Sequence, residues 1–287
     1  MSSSRPITFE AANHLLDMLW KTPFSGRPSL DMAELEERAM ERTGLRDFGN
    51  PWFRGPLTRL LRALDEEARL NPVGRLVAHI HVLKLLQDRL RAEHWFAGHP
   101  EIRKRPLASP VVVVGPMRSG TTRLHRLLAA DRRFSHLRMF ETMCPVPRPD
   151  ELDGHDKRPQ MAATALAVLH HVNPATAAVH PSGPMEPEEE LGLFISSAWG
   201  MKHEVQWRVP SYTRWCEAED ATPAYEAMAD LLRLTGWLRG DDPEKPWLLK
   251  TPQHMSSLPA LLSVFPDARI IFIHRDPAAV VGSSCSM

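Results

Sequence analysis

The stretch VVVVGPMRSGTTRLHRLLAAD at positions 111–131 constrains this chain more than any other. Val111 to Val114 are apolar and β-branched, the text of a short strand buried on both faces. Gly115 and Gly120 then bracket a loop, after which Leu124, Leu127 and Leu128 recur at helical spacing. Strand, glycine loop and helix in that order gather main-chain amides and the positive end of a helix at one point, a receptor for an anion. The glycines have the G-x-x-x-x-G spacing of a nucleoside-triphosphate loop, yet Thr121 stands where such a loop has its lysine. What remains is one cation, Arg118, and the hydroxyls of Ser119, Thr121 and Thr122. That set suits a less charged anion bound without metal. The bland alternative is a tight turn that needs glycine for its backbone alone.

The strand-then-helix order returns near the carboxyl end. PWLLK (246–250) reads as a strand, Leu258, Leu261, Leu262 and Phe265 as a helix, ARIIFI (268–273) as a buried strand, and a last helix starts near Pro277. Such alternation favours a parallel sheet covered on both faces. Residues 139–245 carry helical segments with few strand signals. From about residue 8 to 100 the pattern is also helical. Ser29 can cap a helix carrying Met32, Leu35 and Ala39. Leu57, Leu60, Leu61, Leu64 and Ala68 share one face, and Leu76, Ile80, Leu83, Leu86 and Leu90 another. GNP (49–51) and NPVG (71–74) separate these helices as turns. Residues 1–105 are thus expected to form a helical amino-terminal region and residues 106–287 an α/β core.

Charge narrows the partners. Thirty-five Lys and Arg offset thirty-five Asp and Glu, so no overall positive field recruits nucleic acid, and an anion site must be built locally. The start of the chain has no apolar run long enough for a signal peptide, and no stretch approaches the roughly 18 apolar residues of a membrane span. Cys144, Cys216 and Cys285 lie far apart with no CxxC pair, which fits a reducing, cytoplasmic setting. His79 and His81, like His170 and His171, point to different helix faces and no H-E-x-x-H occurs, so no metal site is expected. Nothing here fixes an oligomeric state.

Two further segments carry chemistry. In IIFIHRDPAAVVGSS (270–284), Arg275 ends a strand, Asp276 can cap a helix with Pro277 in its first turn, and Ser283 follows Arg275 by eight residues. In LLKTPQH (248–254), Lys250 closes a strand, and Thr251 and Pro252 suit a helix start. Ligands of open parallel sheets gather at the carboxyl ends of strands, so Lys250 should sit near Gly115 and Arg275. His254 follows; histidine titrates near neutrality and can serve as a base, or it can simply pack or cap. Rival bases crowd HPSGPMEPEEELGLF: Glu186, Glu188, Glu189 and Glu190, with His180 behind them, although acids at a helix start commonly complement its dipole.

GPMRSGTT resembles the 5′-phosphosulfate loop of sulfotransferases that use 3′-phosphoadenosine 5′-phosphosulfate (PAPS), with Arg118 at the position of that loop's lysine. Together with the helical amino-terminal region and ERTGLRDFG, it looks like the large bacterial branch of that family. The resemblance implies an α/β fold like that of P-loop nucleotide kinases and PAPS as co-substrate. It implies that Gly115, Arg118, Ser119, Gly120, Thr121 and Thr122 cradle the phosphosulfate, that Arg275 and Ser283 hold the 3′-phosphate, and that Lys250 helps hold the sulfate. The family's histidine takes the acceptor's proton; here His254 comes four residues after Lys250 rather than two. Some branches use a glutamate, so Glu188 is the alternative. The expected reaction is sulfuryl transfer to a hydroxyl or amine of a small organic acceptor. Phe194, Trp199, Trp207, Tyr212, Trp215, Trp237 and Trp247 either line an apolar acceptor pocket or pack the core. A metabolite kinase and a non-catalytic nucleotide-binding protein are the competing readings. The family generally continues past the Ser283 helix, whereas this chain stops at Met287. The core is therefore expected to want its carboxyl-terminal end, whether as a fragment, a site finished by another chain or an inactive protein.

Overall fold

A computed structural model describes residues 7–22, 26–148, 156–174, 176 and 182–285. The amino-terminal helices are α1 (Ile7–Trp20), α2 (Met32–Thr43), α3 (Arg54–Glu66) and the long α4 (Pro72–Gly98), followed by the short α5 (Glu101–Lys104). The cap of α2 is Asp31, whose carboxylate accepts the Glu34 N–H at 3.0 Å, while Ser29 sits one step upstream and accepts the Asp31 N–H. NPVG is a helix start rather than a turn between helices: Asn71 accepts the Gly74 N–H at 2.7 Å and Pro72 occupies the first turn. Leu57, Leu60, Leu61 and Leu64 of α3 pack with Leu35 and Ala39 of α2 and with Val82, Leu83, Leu86 and Leu90 of α4. Ile80, expected on that stripe, is exposed instead, because the buried face of α4 runs through Ala78, Val82, Leu85 and Leu86. Buried Arg89 ties this bundle to the rest of the chain by donating to the carbonyls of Phe48, Asn50 and Ser196.

The sheet has three parallel strands, β1 (Val111–Val114), β2 (Leu248–Lys250) and β3 (Arg269–Phe272), in the order β2-β1-β3. Val113 pairs with Lys250 and Val114 with Phe272, so the carboxyl ends of all three strands lie along one edge. Alternate valines face opposite layers. Val111 and Val113 pack with Leu248 and with Leu124, Leu128 and Ala129 of α6 (Thr121–Ala129). After α7 (Met139–Met143), α8 (Arg158–Val172), α9 (Leu191–Phe194), α10 (Met201–Gln206) and α11 (Pro210–Ala218) come the elements of the other layer. There Val112, Val114 and Leu249 meet Tyr225, Met228 and Leu232 of α12 (Thr222–Arg239) and Leu261 of α13 (Leu258–Val264). The buried-strand expectation fails for β3, whose Arg269 and Phe272 are exposed and whose Ile270 and Ile271 are half-buried. It is an edge strand: among the described residues β1 alone pairs with it. The last helix, α14 (Pro277–Cys285), begins as the sequence indicates, with Asp276 accepting the Ala278 N–H at 2.8 Å.

Candidate active site

The loop between β1 and α6 is built on unusual backbone. Gly120 has φ +97° and leads directly into the first turn of α6, a conformation that glycine adopts without strain. Arg118 also has a positive φ, 67°, a costly state for a residue with a side chain. Ser119 donates its hydroxyl to the Pro116 carbonyl at 2.7 Å, bracing the loop from within. Thr121 is buried beneath it, and Thr122 presents its hydroxyl to the β2 end.

Three strand ends converge there. Lys250 is 1% exposed; its ammonium donates to Thr122 Oγ1 at 3.2 Å and forms an ion pair with Glu189. From the β3 side Arg275, exposed, donates to the carbonyl of Arg118, and Arg118 Nε donates to Ser283 Oγ of α14 at 3.0 Å. Gly115, Arg118, Ser119, Gly120, Thr121, Thr122, Lys250, Arg275 and Ser283 therefore share one edge of the sheet, as the strand-end reasoning expects. The cations face it while the acids 188–190 approach from the segment before α9.

His254 does not join them. Thr251 accepts the Gln253 N–H and Pro252 opens a 3₁₀ turn over Pro252–Met255, which swings His254 inward. It is completely buried, its Nε2 lies 2.6 Å from Glu190 Oε1 and its Nδ1 2.8 Å from the Tyr225 hydroxyl. With both ring nitrogens engaged, His254 is held in the core, which is the packing alternative that its sequence position leaves open beside the role of base. Glu190 is equally buried and also accepts the Lys250 N–H at 3.1 Å, so one carboxylate fixes both the end of β2 and the imidazole. Burial acts to raise the Glu190 pKa, but the hydrogen bond and charge of His254 and the Lys250 amide outweigh it, and the group lies below the usual range.

Glu189, by contrast, is pushed up, chiefly by burial and further by Glu188 and Glu190, against the pull of Lys250. Glu188 is half-buried, with Oε1 accepting the Glu189 N–H at 2.9 Å. Glu186 is exposed and its carbonyl accepts the Met139 N–H. His180 lies outside the described residues. Sequence reasoning passes over Tyr225, Lys202 and His125. Lys202, half-buried, feels the charges of Glu188 and Glu189, and burial lowers its pKa. His125, buried in α6, is pushed down to about 4 by burial and by Lys250, so it stays neutral beside the lysine. No local motif marks these three, since each acquires its neighbours through the fold. Of the aromatics, Phe194, Trp199, Tyr212 and Trp247 are core residues, and Trp207, Trp215 and Trp237 pack against the core as partly buried side chains.

The profile described as the sulfotransferase family matches residues 110–287. The fold matches the crystal structure of sulfotransferase STF1 from Mycobacterium tuberculosis H37Rv, with TM-score 0.77 and 32% identity over 91% of this chain and 71% of that one. It also matches sulfotransferase STF9 from Mycobacterium avium, with TM-score 0.72 and 27% identity over 90% of this chain and 66% of that one. No curated protein gives a significant match in a sequence search. Profile and fold agree with the glycine loop, the β2 lysine and the β3 arginine at a common edge: the chain belongs to the sulfotransferase family.

Proposed function

We propose that the chain transfers a sulfuryl group from PAPS to a hydroxyl or amine of a small organic acceptor. The observation that carries this reading is the meeting of Arg118, Lys250 and Arg275 around the loop before α6. Main-chain amides of the loop, the α6 amino terminus and Thr122 suit the 5′-phosphosulfate. Arg275, with its forked donors, and Ser283 suit a 3′-phosphate dianion. The donor supplies an activated sulfuryl group; the chain supplies position and charge.

Sulfuryl transfer is analogous to phosphoryl transfer, in which an in-line displacement leaves little covalent work for the protein. Negative charge grows on the departing phosphate oxygen, where Arg118, Lys250 and the loop amides stabilise it. To do so Lys250 exchanges Glu189 for the anionic group. Released beside the reacting centre, Glu189 has the raised proton affinity of a general base, and we assign it that role ahead of its neighbour Glu188. His254 is a positioning residue that locks Glu190 and, through it, the β2 end. Among the described residues no helix is long and apolar enough to cross a membrane; a reducing cytoplasm is part of the proposal.

The test is a transfer assay with labelled PAPS and an acceptor panel, run beside thermal-shift titrations. Adenosine 3′,5′-bisphosphate should raise the melting temperature without metal, and Arg118→Ala or Lys250→Ala should each lower turnover by about a hundredfold or more. Stabilisation by ATP that requires Mg²⁺, with none by the bisphosphate, would point to a kinase and overturn the reading.

A further inference from the structure

A cavity of about 530 Å³ opens between α11, the 3₁₀ turn Pro252–Met255, the start of α13 and the segment 199–204, within the size range of small-molecule pockets. None of the residues assigned to PAPS lines it, so a ligand here occupies a second site. Its charge is one-sided: Glu204, Glu217, Glu219 and Asp220 line it and, among the described residues, no lysine, arginine or histidine does. Asp220 is already committed, accepting the Thr222 N–H at 2.9 Å and the Thr222 hydroxyl at 2.7 Å. Glu204, Glu217 and Glu219 are exposed, and carboxylates gathered around one concavity draw a cation to it.

A second, independent observation is an unpartnered donor in the same wall. Gln253 is 4% exposed, and its Oε1 accepts the Met201 N–H at 3.1 Å, which fixes the orientation of the amide. Its Nε2 is then left with two protons to give and no hydrogen-bond partner among the described residues, a costly state for a buried group. The amide lies against Gly200 and Met201, both of which line the cavity. Gly200 makes the room, with φ +104° and no side chain; a Cβ there would collide with the amide. Met201, Pro252, Met255, Pro259 and Ala260 add apolar surface, and Met255 is 45% exposed.

We propose that this cavity is a second ligand site, for an aliphatic polyamine that carries an acyl oxygen. The ammonium groups meet Glu204, Glu217 and Glu219, the methylenes cover the methionine and proline surface, and the acyl oxygen accepts from Gln253 Nε2. A simple amine does not suffice, because an ammonium has no lone pair for the Gln253 amide. A neutral acyl chain leaves the carboxylates unmatched. Only a cation that also carries an acceptor answers both. The site stands independently of the sulfotransferase reading, since it shares no residue with the donor edge.

The experiment is isothermal titration of the full chain, without nucleotide, with N1-acetylspermidine and with 1,8-diaminooctane, two dications of which only the first has an acyl oxygen. N1-acetylspermidine should bind, more weakly as salt is raised, and about fivefold tighter than 1,8-diaminooctane. The double variant Glu217→Gln, Glu219→Gln, at exposed positions where folding is not at stake, should weaken both by about tenfold or more. Its affinity for adenosine 3′,5′-bisphosphate, the readout of the donor site, should be unchanged. Gln253→Met should bind the two dications equally; because it also loses the bond to Met201, its melting temperature is recorded alongside. No binding of N1-acetylspermidine, equal binding by the parent and the double variant, or equal affinity of the parent for the two dications would each overturn the assignment. So would a titration in which Ca²⁺ alone binds and the double variant loses it, which would make the carboxylates a metal site.

Discussion

Lys250 and His254 are four residues apart and do opposite things. Lys250 reaches the loop before α6 while His254 turns into the core, because the 3₁₀ turn between them rotates the chain through Thr251 and Pro252. His254→Phe should therefore act on stability: it leaves Glu190 and the Tyr225 hydroxyl without their buried partner, at a cost of about 2 to 4 kcal/mol in chemical denaturation. The pH profile of its residual turnover should keep the parent's acid limb; loss of that limb would restore His254 as the base. Glu189→Gln should remove the limb. Its carboxyl titrates above the usual range, so the active, ionised form accumulates as pH rises through that raised value, and kcat/KM falls below it. The proximity of Arg118, Lys250 and Arg275 is legible in sequence, since each ends or follows a strand of one parallel sheet. Which acid meets Lys250 is not, because Glu188, Glu189 and Glu190 differ by one residue and their directions are set by α7, β2 and a tyrosine far along the chain.

At the scale of elements, the β1–α6 unit is the part most completely written in local text: four valines, two glycines and the leucine spacing each specify it. Gly115 shows how tight that text is. A Cβ there would stand 3.0 Å from the Ile273 carbonyl oxygen and 3.1 Å from Ser119 Oγ, so the loop or the end of β3 would have to shift by a few tenths of an ångström to admit it. Gly115→Ala is expected to weaken adenosine 3′,5′-bisphosphate at least tenfold, measured by calorimetry, with a smaller effect on the melting temperature. The α14 start is a milder lever. Asp276→Ala should cost about 1 kcal/mol by freeing the Ala278 amide, and should loosen Ser283 with it. Element ends were the less legible part. Asp31 displaces Ser29 as a cap because a single residue decides which oxygen reaches the third amide, and the burial of β3 depends on neighbours beyond its own sequence.

Seen whole, the molecule keeps neutral imidazoles where water does not reach. His125 is 1% exposed with its pKa lowered to about 4, and His81 is lowered to about 3, in both cases chiefly by burial. Unfolded histidines bind a proton near 6.5, so the stability these groups contribute is complete above that pH and is lost progressively as pH falls through the window toward 4. For His125 alone the loss amounts to about 3 kcal/mol. Melting temperatures recorded from pH 7 to 4 should fall accordingly, and His125→Phe should flatten the curve by roughly one proton; an unchanged slope would contradict the burial of that ring. Another whole-molecule property follows from the hydrogen bond of Arg275 to the main chain of Arg118, whose own guanidinium reaches Ser283. The turns after the first and third strands are thereby fastened like two halves of a buckle. On the proposed PAPS reading, discrimination between a nucleotide phosphorylated at both ribose positions and one phosphorylated at a single position is expected to be a property of the fastening, so that a substitution in either turn should be felt at both ends of the donor.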